Sequence, residues 1–228
     1  MKIVSYNIMF NDFYRIERLQ ALVKLLLEVD ADIICLQEVM YDALFYLKKR
    51  LKNYSLVEFP DSRIYKEVIF YKNLELIDQK LVILQSEMNR SLTFATFKYL
   101  NKLFTITTFH LESLENSYIR SIQMKRLVEI VKDCEIPIIC CGDSNLKAGE
   151  PGLSELCNKF TDLGVYYGNT KSTSYGDRFF GTTVNERYDR VWVNNCKHHR
   201  FEHLGDIKIP DTGYWISDHN GILFGINL

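Results

Sequence analysis

Hydrophobic positions along the chain change their period several times, and each change predicts an element. Ile3–Ile8 is a short, mostly apolar run that reads as a strand. From Asp12 to about Leu27 the apolar residues fall at Phe13, Ile16, Leu19, Leu22, Val23, Leu26 and Leu27. That spacing predicts an amphipathic helix behind an Asp cap. Asp32–Val39 reads as the next strand, with its polar residues gathered at the C-terminal end, and Met40 to about Leu51 as a second helix. Leu56–Phe59, Glu67–Tyr71 and Leu74–Leu84 read as short strands. Ser91–Leu100 and Leu103–His110 alternate on both sides of Asn101-Lys102, which predicts a hairpin. Asn116–Lys132 is a third amphipathic segment. Ile136–Cys141 is an apolar run that ends in Gly142-Asp143-Ser144-Asn145, the pattern of a buried strand entering a loop. Shorter strands are expected near Tyr188–Val193 and Ile222–Asn227. Few long helices, many strands, and hairpins alternating with helix–strand units predict an α/β fold. Two mixed β-sheets would pack together with helices outside, as a four-layer α-β-β-α sandwich. No Ser/Gly-rich linker and no repeat interrupts the pattern, so residues 1–228 are expected to form one catalytic domain.

Composition narrows the function. Of 228 residues, 47% are apolar and 25% charged, which is globular composition, and the net charge is −1. No global basic field draws this chain to nucleic acid, so any such affinity has to come from a local groove. The longest apolar runs are too short to span a bilayer, and the first residues lack a signal-peptide cleavage pattern. A nuclear or cytoplasmic protein, without membrane association and monomeric, is the expectation. Six cysteines (Cys35, Cys134, Cys140, Cys141, Cys157 and Cys196) contain no C-x-x-C pair, which favours reduced thiols over disulfides or zinc.

The chemistry-bearing residues gather at predicted strand ends. Asn7 ends the first strand and Gln37-Glu38 the second; His110-Leu111-Glu112-Ser113 follows the hairpin; Asp143 and Asn145 follow the buried strand; Ser217-Asp218-His219-Asn220 precedes the last strand. Asp189, in Arg187-Tyr188-Asp189-Arg190, begins another. Each has an ordinary structural reading: a turn-forming Asn, a solvated strand end, a core-edge histidine, an Asx turn, an exposed ion pair. Ligands of α/β proteins collect outside the carboxyl ends of strands, and one shared site accounts for all of them together. The inventory suits phosphoester hydrolysis. Glu38 and Asp218, with Asn7 as a water-bridged partner, offer the oxygen donors that Mg²⁺, or Mn²⁺ in its place, prefers. His110 and His219 can donate to phosphate oxygens. Asp143 can take a proton from water that Asn145 aligns. Neither a G-x-S-x-G elbow nor a Walker loop is present, so activated water is favoured over a covalent intermediate.

In this order and combination the residues resemble the endonuclease/exonuclease/phosphatase superfamily, which includes DNase I-like nucleases, apurinic endonucleases and inositol-phosphate phosphatases. The strings LQEV (36–39), HLES (110–113), GDSNLK (142–147) and RYDR (187–190) are similar to its 5′-tyrosyl-DNA phosphodiesterase branch, as are YLKKR (46–50) and the following Asn53-Tyr54. The resemblance implies that Asn7, Glu38 and Asp218 serve a metal, that Asp143 and Asn145 serve the attacking water, and that His110 and His219 serve the phosphate. It further implies that Ser113, Arg90, Arg120 and Lys147 line the nucleic-acid path and that Tyr65 sits near the leaving tyrosine. Tyr175, in Thr173–Asp177, stands where the branch carries an aromatic grip, and Asp189 joins the substrate contacts. Two departures are Ser5-Tyr6-Asn7, where the branch has Thr-Trp-Asn, and Leu114-Glu115, where a basic residue is expected. The implied partner is a single-stranded or frayed 5′ end of DNA, or of RNA, joined to a tyrosine of a protein or peptide. The rivals are another phosphoesterase of the superfamily (apurinic endonuclease, general nuclease or lipid-phosphate phosphatase) and an inactive binding module. Retention of every acidic and histidine position argues against the module.

Overall fold

The structure, a computed structural model, describes the whole chain except residues 61 and 158, and of residues 155 and 157 the backbone alone. In chain order it contains β1 (Lys2–Asn7), α1 (Arg15–Val29), β2 (Ile33–Met40), α2 (Tyr41–Arg50), β3 (Ser55–Val57), β4 (Tyr65–Tyr71), β5 (Glu75–Ile83), β6 (Ser91–Tyr99) and β7 (Lys102–His110). There follow α3 (Ser117–Val131), β8 (Ile138–Asp143), α4 (Leu153–Cys157), β9 (Thr161–Asp162), α5 (Leu163–Tyr166), β10 (Ser174–Tyr175), β11 (Asn185–Glu186), β12 (Asp189–Asn194), β13 (Lys197–Leu204) and β14 (Gly221–Asn227). Two six-stranded sheets form, in the orders β13-β14-β1-β2-β4-β3 and β5-β6-β7-β8-β12-β9, with a small β10-β11 ribbon beside them. Each large sheet holds one parallel pair, β1 with β2 and β7 with β8, joined through α1 and α3 respectively; the other neighbours are antiparallel.

The period-two alternation of side chains splits each central strand between two cores. Ile3, Ile33, Cys35 and Ile69 from the first sheet meet Phe97, Ile106, Ile139, Cys141 and Val191 from the second. The intervening residues face outward. Val4, Tyr6, Ile34 and Leu36 pack under Leu19, Leu22 and Leu26 of α1 and Leu47 of α2. On the far side, Ile138, Cys140 and Trp192 pack under Met124, Leu127 and Val131 of α3. The apolar strands are therefore buried on both faces, and the fold is the four-layer sandwich that the sequence pattern predicts. No helix among the described residues is long and apolar enough to cross a membrane. Cys35, Cys134, Cys140, Cys141 and Cys196 are free thiols, and the Cys157 side chain lies outside the described residues.

Several expected boundaries shift for physical reasons. The first helix starts at Arg15, with Tyr14 in the left-handed region at φ 47° as its N-cap and no side-chain cap, so Asp12 does not cap it. The hairpin turns on Leu100-Asn101, both at positive φ (47° and 65°), with Tyr99 opposite Lys102, one residue earlier than Asn101-Lys102. The edge strand β13 (KHHRFEHL) has no apolar alternation to announce it, because Phe201 is its only buried residue. Charged side chains on such a strand protect a sheet edge.

Gly142 shows how tightly the central strands meet. It adopts φ 151°, and a Cβ there would lie 2.1 Å from the Phe109 carbonyl oxygen of the neighbouring strand. Gly149 also has positive φ (82°), but nothing stands within 4 Å of its Cβ position. In urea or thermal unfolding, Gly142→Ala is expected to cost more than about 2 kcal/mol, because backbone clash adds to conformational strain. Gly149→Ala should cost only about 1 kcal/mol. Similar losses for the two would mean that close approach of β7 and β8 does not limit the fold.

Candidate active site

Both parallel pairs end on the same side of the sandwich. Asn7 and Gln37 are opposed at the ends of β1 and β2, and His110 and Asp143 at the ends of β7 and β8. The strands β12 and β14 run antiparallel to these, so their first residues return to the same edge. Asp189 opens β12 opposite Asp143, and His219-Asn220 immediately precede β14. His110, Asp143 and Asp189 thus stand side by side across three adjacent strands.

A β-bulge turns Glu38 into this group. Leu36 pairs with Val68 and Val39 with Lys66, so Gln37 and Glu38 together oppose the single residue Glu67. Glu38 takes φ 60°, a left-handed conformation that costs a non-glycine residue about 1–2 kcal/mol. Gln37 keeps the inward direction and donates to Thr108 Oγ1 of the opposite sheet at 2.8 Å. Glu38 is freed to face the cleft. Beyond the end of β8, Asn145 is likewise left-handed (φ 50°), with its N–H on Asp143 Oδ1 at 2.9 Å and its Nδ2 on Leu111 O at 3.1 Å.

Asn7 joins the two carboxylates. Its Nδ2 donates to Glu38 Oε1 at 3.1 Å and to Asp143 Oδ2 at 2.9 Å, while its Oδ1 accepts from Met9 N–H at 3.0 Å. Asn7 is therefore a hydrogen-bond bridge between the carboxylates, with its own oxygen already committed. Glu38 Oε2 accepts from Phe10 N–H at 2.7 Å. Burial pushes the Glu38 carboxyl up to about 7, and Asp218 adds to the rise. Burial also raises Asp143, to about 6; His219 opposes the rise and Asp189 reinforces it.

The two histidines differ in protonation. His110 Nδ1 lies 2.8 Å from Arg90 Nη1. A guanidinium only donates, so Nδ1 accepts and the ring proton sits on Nε2. Burial and then Arg90 and His219 hold His110 well below the usual histidine range, which keeps it neutral. Its Nε2–H points toward Asp143 Oδ2 (3.5 Å) and Glu38 Oε1 (3.8 Å). His219 is the opposite case. Burial disfavours its charge, but Asp189, Asp218 and Asp143 outweigh that and hold it well above the usual range. Its Nδ1 is 2.7 Å from Asp189 Oδ2, and its Nε2 faces Asp143 Oδ2 at 3.8 Å and Asp218 Oδ2 at 4.0 Å. Asp143 is thus flanked by a neutral donor and a cation.

Donor atoms of Glu38, His110 and Asp143 lie within 4.8 Å of one another, as do those of Asp143, Asp189 and His219. Carboxylates raised by burial and mutual repulsion, presenting hard oxygen donors, suit a divalent cation such as Mg²⁺ or Mn²⁺. Glu38 and the neighbouring Asp218 carry that donor set.

The expected substrate residues fare unequally. Tyr65 reaches the site: its ring centroid is 6.2 Å from that of His110, with Arg90 5.4 Å above it. Arg90 is buried, and its Nη2 donates to Ser113 Oγ at 3.2 Å, so this pair supports His110 from behind rather than lining an open path. Arg120 is also buried. It forms a two-pronged ion pair with Glu150 and donates to the Glu112 and Leu114 carbonyls, which removes it from the surface. Lys147 is on the surface and pairs with Glu115 at 3.2 Å. Asp189 is buried and orients His219 instead of meeting substrate. Tyr175 is drawn inward, with its hydroxyl on Ser172 O at 2.7 Å, its ring under Arg178 at 4.1 Å and its N–H on Asp218 O at 2.8 Å.

Three contributors had no signal in the sequence. Phe10 stacks on Tyr65 at 5.3 Å and 17°, forming an aromatic wall that is half exposed. Arg178 Nη1 lies 3.3 Å from Ser217 O, 3.4 Å from His219 O and 2.9 Å from Asn220 Oδ1, tying down the loop that carries Asp218 and His219. Thr173 Oγ1 accepts from the Tyr188 and Asp189 N–H groups at 3.1 and 2.9 Å. Only the residues around Asp218-His219 in the motif hinted that such supports exist.

Two outcomes follow from these charges. Asp189→Asn removes the nearest carboxylate from His219, so the His219 titration midpoint read by NMR should fall, with activity dropping by about 10²-fold or more. An unchanged midpoint would rule out Asp189 as the holder of that charge. Second, carboxyls with raised folded-state pKa values contribute stability below their unfolded values and lose it as pH rises through the folded ones. That window runs up to about 6 for Asp143 and about 7 for Glu38. Millimolar Mg²⁺ should therefore raise the Tm more at pH 8 than at pH 5.5, and equal shifts at both would contradict a cation held by these groups.

A model of the endonuclease/exonuclease/phosphatase family matches residues 4–219. Tyrosyl-DNA phosphodiesterase 2 of Danio rerio is 25% identical over 248 residues, covering 100% of this chain and 67% of that protein. A crystal structure of the Danio rerio enzyme humanized by 14 mutations superposes with a TM-score of 0.90 at 23% identity, covering 100% of this chain and 99% of the other. The Danio rerio enzyme complexed with single-strand DNA product gives 0.89 at 22%, with the same coverage. With the conserved order of site residues set on this fold, the chain belongs to the endonuclease/exonuclease/phosphatase family and is a hydrolase of it.

Proposed function

We propose that this chain is a divalent-metal-dependent phosphodiesterase that hydrolyses the bond between a protein tyrosine and a nucleic-acid 5′ phosphate. The substrate end is DNA, with RNA as a second candidate, and it is single-stranded or frayed. The observation that carries the hydrolytic reading is Asp143 set between neutral His110 and charged His219, with Asn7 bridging it to Glu38. The tyrosyl specificity draws on similarity to tyrosyl-DNA phosphodiesterase 2 and on the Phe10–Tyr65 wall beside His110.

Asp143 holds and deprotonates the attacking water; with its carboxyl raised to about 6 it is ionised yet basic at neutral pH. Asn145, fixed by Asp143 and Leu111, keeps that water aligned with phosphorus. His219 offers Nε2–H and a positive charge to a non-bridging oxygen as negative charge accumulates, and Asp189 holds the imidazolium in place. His110 offers a second, neutral N–H from the other side. Glu38, with Asp218 beside it, would hold Mg²⁺, whose charge lowers the energy of the pentacovalent transition state. The bond from phosphorus to the tyrosine oxygen breaks, and the phenolate leaves. Its pKa is about 10, so it departs more readily than a sugar alkoxide and needs little acid assistance. The products are a 5′-phosphate and a free tyrosine.

The test is a 5′-phosphotyrosyl oligonucleotide incubated with Mg²⁺. Tyrosine release is expected, abolished by chelator and reduced by about 10²–10⁴-fold in Asp143→Asn. Efficient cutting of intact DNA, an abasic site or a lipid phosphate while the tyrosyl ester survives would replace this reading with another phosphoesterase of the family.

A further inference from the structure

The tyrosyl reading leaves open where the polypeptide attached to the tyrosine goes. In an in-line displacement the leaving group departs on the side opposite the water. Asp143 and Asn145 belong to the second sheet, and across the site from them stand Glu38, Phe10 and Tyr65 of the first. Tyr65 is also the first residue of β4 and pairs with Met40, which is followed by Tyr41 at the start of α2. A groove of about 760 Å³ opens there, lined by residues of α2, β3, β4 and the segment between the two strands.

Three features of this groove suit an extended peptide. First, the edge strand β3 stops at Val57, opposite Ile69, so among the described residues no strand pairs with Tyr65–Val68 on that side. An open edge of this kind accepts a further strand through backbone hydrogen bonds. Four residues span about 13 Å, roughly the reach of a short peptide strand. Second, the lining is apolar where alternate side chains of such a strand would point, with Leu44, Phe45, Leu56 and Phe59. Phe45 and Tyr41 are 56% and 77% exposed, unusual for large rings in a folded chain without a partner. Third, the charge is locally reversed. Lys48, Lys49, Arg63 and Lys66 face the groove against Glu58 and Glu67, in a chain whose net charge is −1. Glu67 is occupied by Arg63 and Ser91, and Glu58 by Lys48. Lys49 Nζ rides 4.1 Å over the Phe45 ring.

We propose that this groove receives the polypeptide carrying the scissile tyrosine, as an extended, acidic segment added to the open edge of β4. The proposal rests on the phosphotyrosyl reading above. The peptide enters past Tyr65, its backbone pairs with Tyr65–Val68, its apolar side chains cover Phe45, and its carboxylates meet the lysines. The nucleic acid leaves in the other direction.

The experiment compares three 5′ esters of one oligonucleotide: free tyrosine, tyrosine within an acidic octapeptide, and tyrosine within a basic octapeptide. The acidic peptide ester is expected to show a kcat/KM about tenfold above the tyrosine ester, and the basic one none of this gain. The double variant Phe45→Ala/Lys49→Glu, at exposed positions outside the catalytic group, should abolish the gain and leave the free-tyrosine ester unaffected. Equal rates for all three esters would overturn the proposal while the hydrolytic reading stands. A variant whose defect grows with oligonucleotide length instead would assign the groove to nucleic acid. If the free-tyrosine ester is not cleaved, the hydrolytic reading fails on its own. Fluorescence anisotropy of a labelled acidic tyrosyl peptide then decides the groove: binding lost in the double variant supports it, and no binding to the wild-type chain refutes it.

Discussion

The register between β7, β8 and β12 is the constraint on which the site depends. His110, Asp143 and Asp189 lie on adjacent strands in direct opposition, so their side chains share one face within hydrogen-bonding reach of a phosphate. A one-residue slip would send Asp143 to the opposite face of the sheet. Gly142 holds the register, because the two backbones approach so closely there that no side chain fits. The packing of the two sheets against each other then fixes the gap across which Asn7 reaches from β1 to Asp143.

That arrangement gathers charges that repel one another. Glu38, Asp143, Asp189 and Asp218 converge with only His219 as a cation among the catalytic group, and burial intensifies every interaction. Glu38 is placed by a bulge and a left-handed backbone, and Asn145 by another left-handed residue. Such strain persists only when the surrounding structure over-determines it, and here two packed sheets and three apolar layers do so. The cost is the counterpart of catalytic readiness: unpaired negative potential attracts a cation, and His219 is held charged before substrate arrives.

The supporting residues are of a different kind from the catalytic ones. Arg90 fixes the tautomer of His110, Arg178 ties three groups of the Ser217–Asn220 loop together, and Thr173 joins the start of β12 to the same region. None of these contacts is local in sequence. Arg90 and Arg120 look alike in the sequence, as cations near conserved-looking motifs. In the fold one backs a catalytic histidine, and the other makes an internal ion pair with Glu150. A long-range partner decides which role an arginine takes.

Much of the molecule was legible without coordinates, for a physical reason. Period-two and period-3.6 patterns arise from burial itself, so strands buried on both faces, such as Ile138–Asp143, and the core-facing stripe of α1 announced themselves. Polar residues at the ends of those strands also stood out, because nothing in a core accounts for them. Hence Asn7, Glu38, His110, Asp143, Asp218 and His219 were found. The edge strand β13 was not, since an edge exposed to solvent carries no hydrophobic period. Nor could local sequence reveal that Asn7 would bridge two carboxylates, that His110 would be neutral and His219 charged, or that Phe10 would stack on Tyr65. Sequence alone determined which residue types stand at which strand ends. Tertiary structure alone decided their neighbours, and with them their protonation, because electrostatic energy depends on distance and burial rather than on order along the chain.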